Sequence, residues 1–190
     1  GRDNMAPHNL SLTAIGTGLL FVGWLGFNAG SAWAADGIAS VAALNTILAA
    51  AAAALGWMVV EWIDHRKPTL LGLLSGIVGG LVGVTSAAGL VDPKGAFLIG
   101  AISGPACYFG AVWLKRALKY DDSLDAFGVH GMGGIVGALL TGVFASAAIN
   151  PAAEGASILN QALGLVAVIA WSAVGTFVVL MICRVATGLK

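Results

Sequence analysis

Residues 38–62 read IASVAALNTILAAAAAALGWMVVEW, an uninterrupted apolar run in which Glu61 is the one charged residue. A helix of about 20 apolar residues is long enough to cross the hydrocarbon core of a bilayer. The run exceeds that length, and its alanines favour the helical state. Only helices and closed barrels satisfy their backbone groups inside a membrane, so the run predicts a transmembrane helix and an all-α fold.

Five further apolar stretches of similar length accompany this run. Turn-forming or charged residues separate them, as at Asp36-Gly37 and Asp92-Pro93. The sequence therefore predicts a polytopic helical bundle with six transmembrane helices. The predicted spans are 10–33, 38–62, 70–91, 96–118, 126–149 and 158–183.

The composition supports a membrane location for the whole chain. Hydrophobic residues make up 58% of the 190 positions and charged residues only 9%, whereas soluble domains carry roughly 25% charged residues. A soluble fold of this size could not keep so much apolar surface from water. Residues 1–190 are therefore predicted to form one membrane domain. The net charge is zero, so nothing indicates a nucleic-acid partner.

Basic residues are concentrated in alternate loops. Eight of the nine lie on one predicted side of the bundle, and Lys94 stands alone on the other. Loops rich in Lys and Arg face the cytoplasm, so both ends of the chain are predicted to be cytoplasmic. The eight residues are Arg2, Arg66, Lys67, Lys115, Arg116, Lys119, Arg184 and Lys190.

His130 is the ionisable residue that the sequence places deepest in an apolar span. It follows Asp122 by eight residues, which in a helix corresponds to a depth of roughly 12 Å, close to the midplane of a core about 30 Å thick. Such a residue is costly without a partner or a pathway. It is either a pore or proton-relay histidine or a histidine that hydrogen-bonds two helices for packing. Neighbouring glycines, such as Gly128 and Gly131, clear space around it and favour the pore.

Four residues of the first span form a second candidate site. Trp24, Phe27, Asn28 and Ser31 follow the spacing i, i+3, i+4, i+7, which predicts one shared helix face toward the outer end. Aromatic rings attract a desolvated cation, and the amide and hydroxyl oxygens supply acceptors. The stripe is therefore suited to a small cation that sheds water. An ordinary aromatic seam between helices would show the same spacing.

Asp121, Asp122 and Asp125 precede the fifth span as an acidic cluster. Acidic residues are stabilising at the positive N-terminal end of a helix, so helix capping is the favoured interpretation. The alternative is that the cluster orders a cytoplasmic pore mouth.

Motifs for enzymatic chemistry are not found in the sequence. It has no nucleophile elbow, zinc-protease motif or phosphate-binding loop. Cys107 and Cys183 lie in apolar runs, and His130 has no metal-ligand spacing within its own span. The sequence therefore predicts a protein that is not an enzyme, with no cofactor and no metal site.

Two stretches carry a resemblance to a known family. Residues 21–31 read FVGWLGFNAGS and contain the pattern F-N-x-G-S. Residues 121–134 read DDSLDAFGVHGMGG and follow D-D-x-x-D-x-F-x-x-H-x-x-x-G. Both patterns resemble signature regions of the ammonium transporters of the Amt/Mep/Rh family, and Asn45-Thr46 and Gly83-Val-Thr85 are also similar to what the family shows. The resemblance covers essentially the whole chain.

The resemblance implies a larger fold than this chain contains. Family members have eleven transmembrane helices, the first ten as two inverted five-helix repeats, and assemble as homotrimers in the plasma membrane. This chain is similar to the sixth to eleventh helices. Residues 10–149 would then be the second repeat and residues 158–183 the final helix. The resemblance also implies two partners, the missing N-terminal half and a cytoplasmic P-II signal protein.

The resemblance further implies roles for individual residues. Phe27 would belong to an outer gate of stacked aromatics, and Trp24 and Ser31 to the outer ammonium recruitment site. His130 would be the second of two pore histidines, with the first in the missing half. Ala126 is smaller than the valine often found there, which would widen the inner pore.

The implied activity is the movement of ammonium or ammonia through a hydrophobic pore. Ammonium would lose water at the outer site and give up a proton, and neutral ammonia would pass His130. Two alternatives are an ammonium sensor, in which the bundle serves a signalling domain, and an Rh-type gas channel. The F-N-x-G-S pattern favours the Amt branch of the family.

Overall fold

The computed structural model describes residues 7–188, which form six apolar helices and no strand. This confirms the predicted all-α membrane fold for that part of the chain. Arg2 and Lys190, which counted toward the predicted orientation, lie outside the described residues. The helices are α1 Leu10–Gly30, α2 Gly37–His65, α3 Leu70–Thr85, α4 Pro93–Leu118, α5 Ala126–Phe144 and α6 Ile158–Thr187.

Most of the helices begin at a side chain that caps the first turn. In five of the six described helices, an oxygen of an Asn, Asp, Thr or Ser side chain accepts a hydrogen bond from the backbone N–H three residues later. Such caps satisfy donors that the helix itself cannot. The capping residues are Asn9, Asp36, Thr69, Asp92 and Ser157.

The third helix is shorter than predicted. It ends at Thr85 rather than at Val91, and its 16 residues cover only about 24 Å. By length and composition, the other five described helices could each cross a membrane. Asn45 explains the early end, because its amide donates hydrogen bonds of 2.8 Å to the carbonyls of Ala88 and Val91. Turns are tolerated at membrane depth when the protein satisfies their backbone in this way.

The centre of the bundle is built from small residues on α2, α3 and α4. Gly100 and Gly104 of α4 lie directly against the backbone of Ala49 and Ala53 in α2. A methyl group at either glycine would overlap that backbone. Close approach through small residues is how membrane helices gain contact area, and these two glycines allow α2 and α4 to pack in this way.

Two helices are left largely open to the surroundings. α1 buries only Thr17 and Asn28, and α6 buries none of its described residues. The exposed side chains on both helices are mostly large and apolar, including Leu19, Phe27 and Trp171. These faces require lipid or further protein to cover them.

Candidate functional site

Three rings from the two candidate motifs form one row. The Trp24 ring centroid lies 6.3 Å from that of Phe27 at an interplanar angle of 74°. It lies 6.2 Å from the His130 ring at 39°. Two of the rings come from α1 and one from the first turns of α5. We call Phe27, Trp24 and His130 the aromatic row.

The aromatic row lies on an open face of the chain. His130 is exposed, and Phe27 is 62% exposed. Trp24 is half-buried. Its indole Nε1 donates a hydrogen bond of 2.8 Å to the hydroxyl of Thr85 at the end of α3. That hydroxyl in turn donates to the carbonyl of Leu81 at 2.6 Å.

The four residues of the predicted stripe do not share one open face. Asn28 is 7% exposed and donates from Nδ2 to the Thr46 hydroxyl on α2 at 3.0 Å. Consecutive residues are separated by about 100° around a helix, so Phe27 can be open while α2 covers Asn28. Ser31 is exposed, and its hydroxyl donates to the carbonyl of Phe27 at 2.7 Å. The structure therefore brings Trp24 to His130 and turns Asn28 into the bundle.

His130 lies closer to its helix start than the sequence predicted. The count of 12 Å assumed a helix from Asp122, but the loop continues to Asp125 and α5 begins at Ala126. His130 is the fifth residue of α5, about 6 Å from its start.

Asp122 acts on this helix start from the loop. Its carboxylate accepts hydrogen bonds from the backbone N–H groups of Ala126, Phe127 and Gly128, at 2.7, 3.1 and 3.0 Å. These are donors that the first turn leaves unpaired, and a carboxylate is favoured at the positive end of a helix. The carboxylate thus fixes the turn that precedes His130.

The other two acidic residues have different surroundings. Asp125 forms an ion pair with Lys115 of α4, with 2.6 Å between Oδ1 and Nζ. The same ammonium group donates to the carbonyl of Asp122 at 2.7 Å. Burial raises the pKa of the Asp125 carboxyl above its ordinary value, and Lys115 offsets only part of that effect. Asp121 is exposed on the same loop.

Two widened helical turns pack against each other behind His130. α4 contains a π-helical segment at Phe109–Leu114, and α5 begins with another at Ala126–Gly131. Gly128 lies on the backbone of Ala111, so no side chain fits at that position. π-helical turns are often found at functional sites. Here the second one contains His130.

Two cavities approach the aromatic row. The larger, about 760 Å³, reaches His130 and is also lined by Thr17, Ser75, Lys115 and Asp125. The smaller, about 290 Å³, is lined by Leu20, Gly23, Trp24 and Phe27. His130 borders the larger cavity and Trp24 the smaller one, and the centroids of the two rings lie 6.2 Å apart.

The apolar helices and the open face define an integral, multi-pass α-helical membrane protein. The family model for the Ammonium Transporter Family matches residues 1–190. The chain therefore belongs to the Ammonium Transporter Family, as its two signature regions predicted.

Named relatives support the same assignment. An ammonium transporter of Bacillus subtilis is 44% identical over 184 residues, which is 93% of this chain and 46% of the relative. One from Aquifex aeolicus is 44% identical over 196 residues, covering 98% of this chain and 45% of the relative. The crystal structure of Saccharomyces cerevisiae Mep2 superposes with a TM-score of 0.88 at 38% identity, covering 97% of this chain and 45% of Mep2. The chain spans less than half the length of these relatives.

The sequence patterns assign no role to two residues that hold the site together, Thr85 and Lys115. Thr85 lies in a run that is similar to the family, and Lys115 is one of the basic residues of the cytoplasmic set. A threonine in an apolar helix commonly bonds its own preceding turn, so its sequence position does not reveal that α1 also bonds to it. The ion pair of Lys115 with Asp125 depends in the same way on how α4 and α5 meet.

Proposed function

We propose that this chain forms one wall of a pore that carries ammonium or ammonia across the membrane. The observation that carries the proposal is the aromatic row, which lies on an open face and whose members border two cavities. A row buried between α1 and its neighbours would indicate packing instead. Phe27 and His130 face outward, so they are available to a pathway.

The chemistry of the row suits a small cation that must lose its charge. The rings of Phe27 and Trp24 attract ammonium as it sheds water. A bare charge is costly in a low-dielectric passage, so a proton leaves before or within it. The indole N–H of Trp24 is bonded to Thr85. The part of the ring that faces the passage therefore consists of carbon atoms. His130 then offers neutral ammonia a hydrogen-bonding partner.

The opposite wall comes from protein outside this chain. Transporters built from inverted repeats place the pathway at the interface between the repeats. The relatives are about twice as long as the matched segment, and the exposed row is the face that a second repeat would cover. The proposal includes a second pore histidine on that wall, beside His130.

The wider setting follows from the family resemblance and the charge pattern. We propose a homotrimer in the plasma membrane, with the basic loops cytoplasmic because eight of the nine Lys and Arg residues lie on that side. The acidic loop before α5 is then at the cytoplasmic mouth, where a P-II signal protein could reach the surface of the full-length protein.

Replacing His130 tests the pore role. In the protein expressed from its complete gene, His130→Ala is expected to stop or change methylammonium uptake by cells while the protein remains folded in the membrane. His8→Ala is the matched control, because His8 is an exposed loop residue before α1. Wild-type rate and selectivity in His130→Ala would show that this histidine only packs.

A further inference from the structure

We propose that Thr85 is a positioning residue whose hydroxyl holds the Trp24 indole against His130 and thereby sets the passage between the two cavities. The inference rests on the proposed function, since it assigns Thr85 to the pathway that the aromatic row lines.

The hydrogens available on each group determine which one donates in the bond between Trp24 and Thr85. An indole N–H can only donate, and a threonine hydroxyl has one hydrogen. Thr85 gives that hydrogen to the carbonyl of Leu81, at 2.6 Å. Its oxygen is therefore left as an acceptor aimed at Trp24 Nε1, 2.8 Å away. Thr85 is the last residue of α3, and its hydroxyl oxygen lies beside the indole.

Packing alone does not determine how α1 presents Trp24. The helix buries only Thr17 and Asn28, and Gly23 and Gly26, on either side of Trp24, have no neighbouring atom within 4 Å of where a side chain would start. Trp24 itself is only half-buried. Within this chain, the bond to Thr85 is therefore the directional contact that orients the indole.

Loss of the acceptor would change the passage. The unpaired indole N–H would turn toward water in one of the adjoining cavities, since a buried N–H without a partner is costly. The centroid of the Trp24 ring lies 6.2 Å from that of His130, with 39° between the ring planes. Rotation of the indole would change this arrangement and put a polar edge where carbon surface now lies.

A second anchor on α1 provides a matched control. Asn28 donates to the hydroxyl of Thr46, which donates to the carbonyl of Ala42 at 2.7 Å. The chemistry is the same, a side chain of α1 bound to a threonine that is bound to its own helix. This bond ends on Asn28, which is buried away from the aromatic row. Thr46→Val therefore removes one α1 anchor without touching Trp24.

The test compares two replacements of Thr85 in the protein expressed from its complete gene and reconstituted in liposomes. Thr85→Val keeps the volume and removes the acceptor, whereas Thr85→Ser keeps the acceptor and removes a methyl group. Ammonium flux should fall by about two- to tenfold in Thr85→Val, the range that one net hydrogen bond accounts for, and stay near wild type in Thr85→Ser. Equal flux in the two variants, or lower flux in Thr85→Ser, would overturn the proposal. An equal fall in Thr46→Val would also overturn it, because any α1 anchor would then serve.

A double-mutant cycle and a spectrum test the bond itself. In a Trp24→Phe background, which has no indole N–H, Thr85→Val should cause no further loss of flux. In protein labelled with ¹⁵N on its indoles, the resonance that disappears in Trp24→Phe should shift in Thr85→Val and not in Thr46→Val. Additive losses, or an unshifted resonance, would contradict the role of Thr85. Wild-type flux no higher than in protein-free liposomes would instead contradict the proposed function. The spectrum would still show whether Trp24 is hydrogen-bonded to Thr85.

Discussion

Asp122 should control the order of the helix start that carries His130. Replacing it by alanine removes the carboxylate that accepts from three backbone N–H groups, those of Ala126, Phe127 and Gly128. These amides would then depend on water in a loop that is only partly open to it. The consequence should be local fraying, because the rest of α5 is packed on α3, α4 and α6.

The size of the effect follows from the three bonds. A hydrogen bond to a charged group contributes about 1.5–3 kcal/mol and a helix cap about 0.5–2 kcal/mol. The three bonds share one partly exposed carboxylate, so their contributions do not add in full. We expect a loss of about 2 kcal/mol in local stability, which corresponds to a roughly 30-fold larger opening constant.

Hydrogen exchange of the peptide covering residues 119–131 measures this opening in the purified protein. Asp122→Ala should increase exchange there by about 30-fold, while peptides from α2 stay unchanged. Asp122→Asn keeps an acceptor oxygen and should give an intermediate value. Ser123→Ala is the neighbouring control, since Ser123 is exposed. Unchanged exchange in Asp122→Ala would refute the claim that this carboxylate orders the start of α5.

Two further predictions concern the outer stripe and the glycine packing. Phe27→Ala should weaken the exclusion of potassium, and Ser31→Ala should raise the methylammonium concentration needed for half-maximal uptake; unchanged values in both would make the stripe a packing seam. Gly104→Ala should lower the free energy of unfolding of the protein in detergent by about 1–3 kcal/mol, because its methyl group would overlap the backbone of Ala53. Gly164→Ala, at an open position of α6, should be neutral or stabilising, and equal losses in both would contradict this account of packing.

The helices could be predicted from the sequence because the bilayer imposes a length on each apolar run. The run at 38–62 lies entirely within α2, and the sixth span lies within α6. His130, Trp24 and Phe27 could be selected for the same reason, since aromatic and ionisable residues among apolar ones need a partner or a pathway. Their meeting in one row could not be derived from either motif alone.

Features that depend on tertiary contacts were predicted less well. α3 ends at Thr85 because Asn45 of α2 satisfies the turn that follows, and no pattern within residues 70–91 shows this. Asn28 is not on the open face with the rest of the predicted stripe, because it donates to the Thr46 hydroxyl on its side of α1. His130 lies nearer to the start of α5 than the count from Asp122 assumed, because residues 122–125 form a loop and not a helix start.

Ammonium flux through liposomes is the most direct test of the claim that this chain forms one wall of a shared pore. Stopped-flow pH changes on an ammonium gradient would compare the protein expressed from its complete gene with residues 1–190 alone. The account predicts flux for the former and no flux above protein-free liposomes for the latter, because Phe27 and His130 would face lipid instead of a second wall. Flux through residues 1–190 alone that disappears in His130→Ala would contradict it.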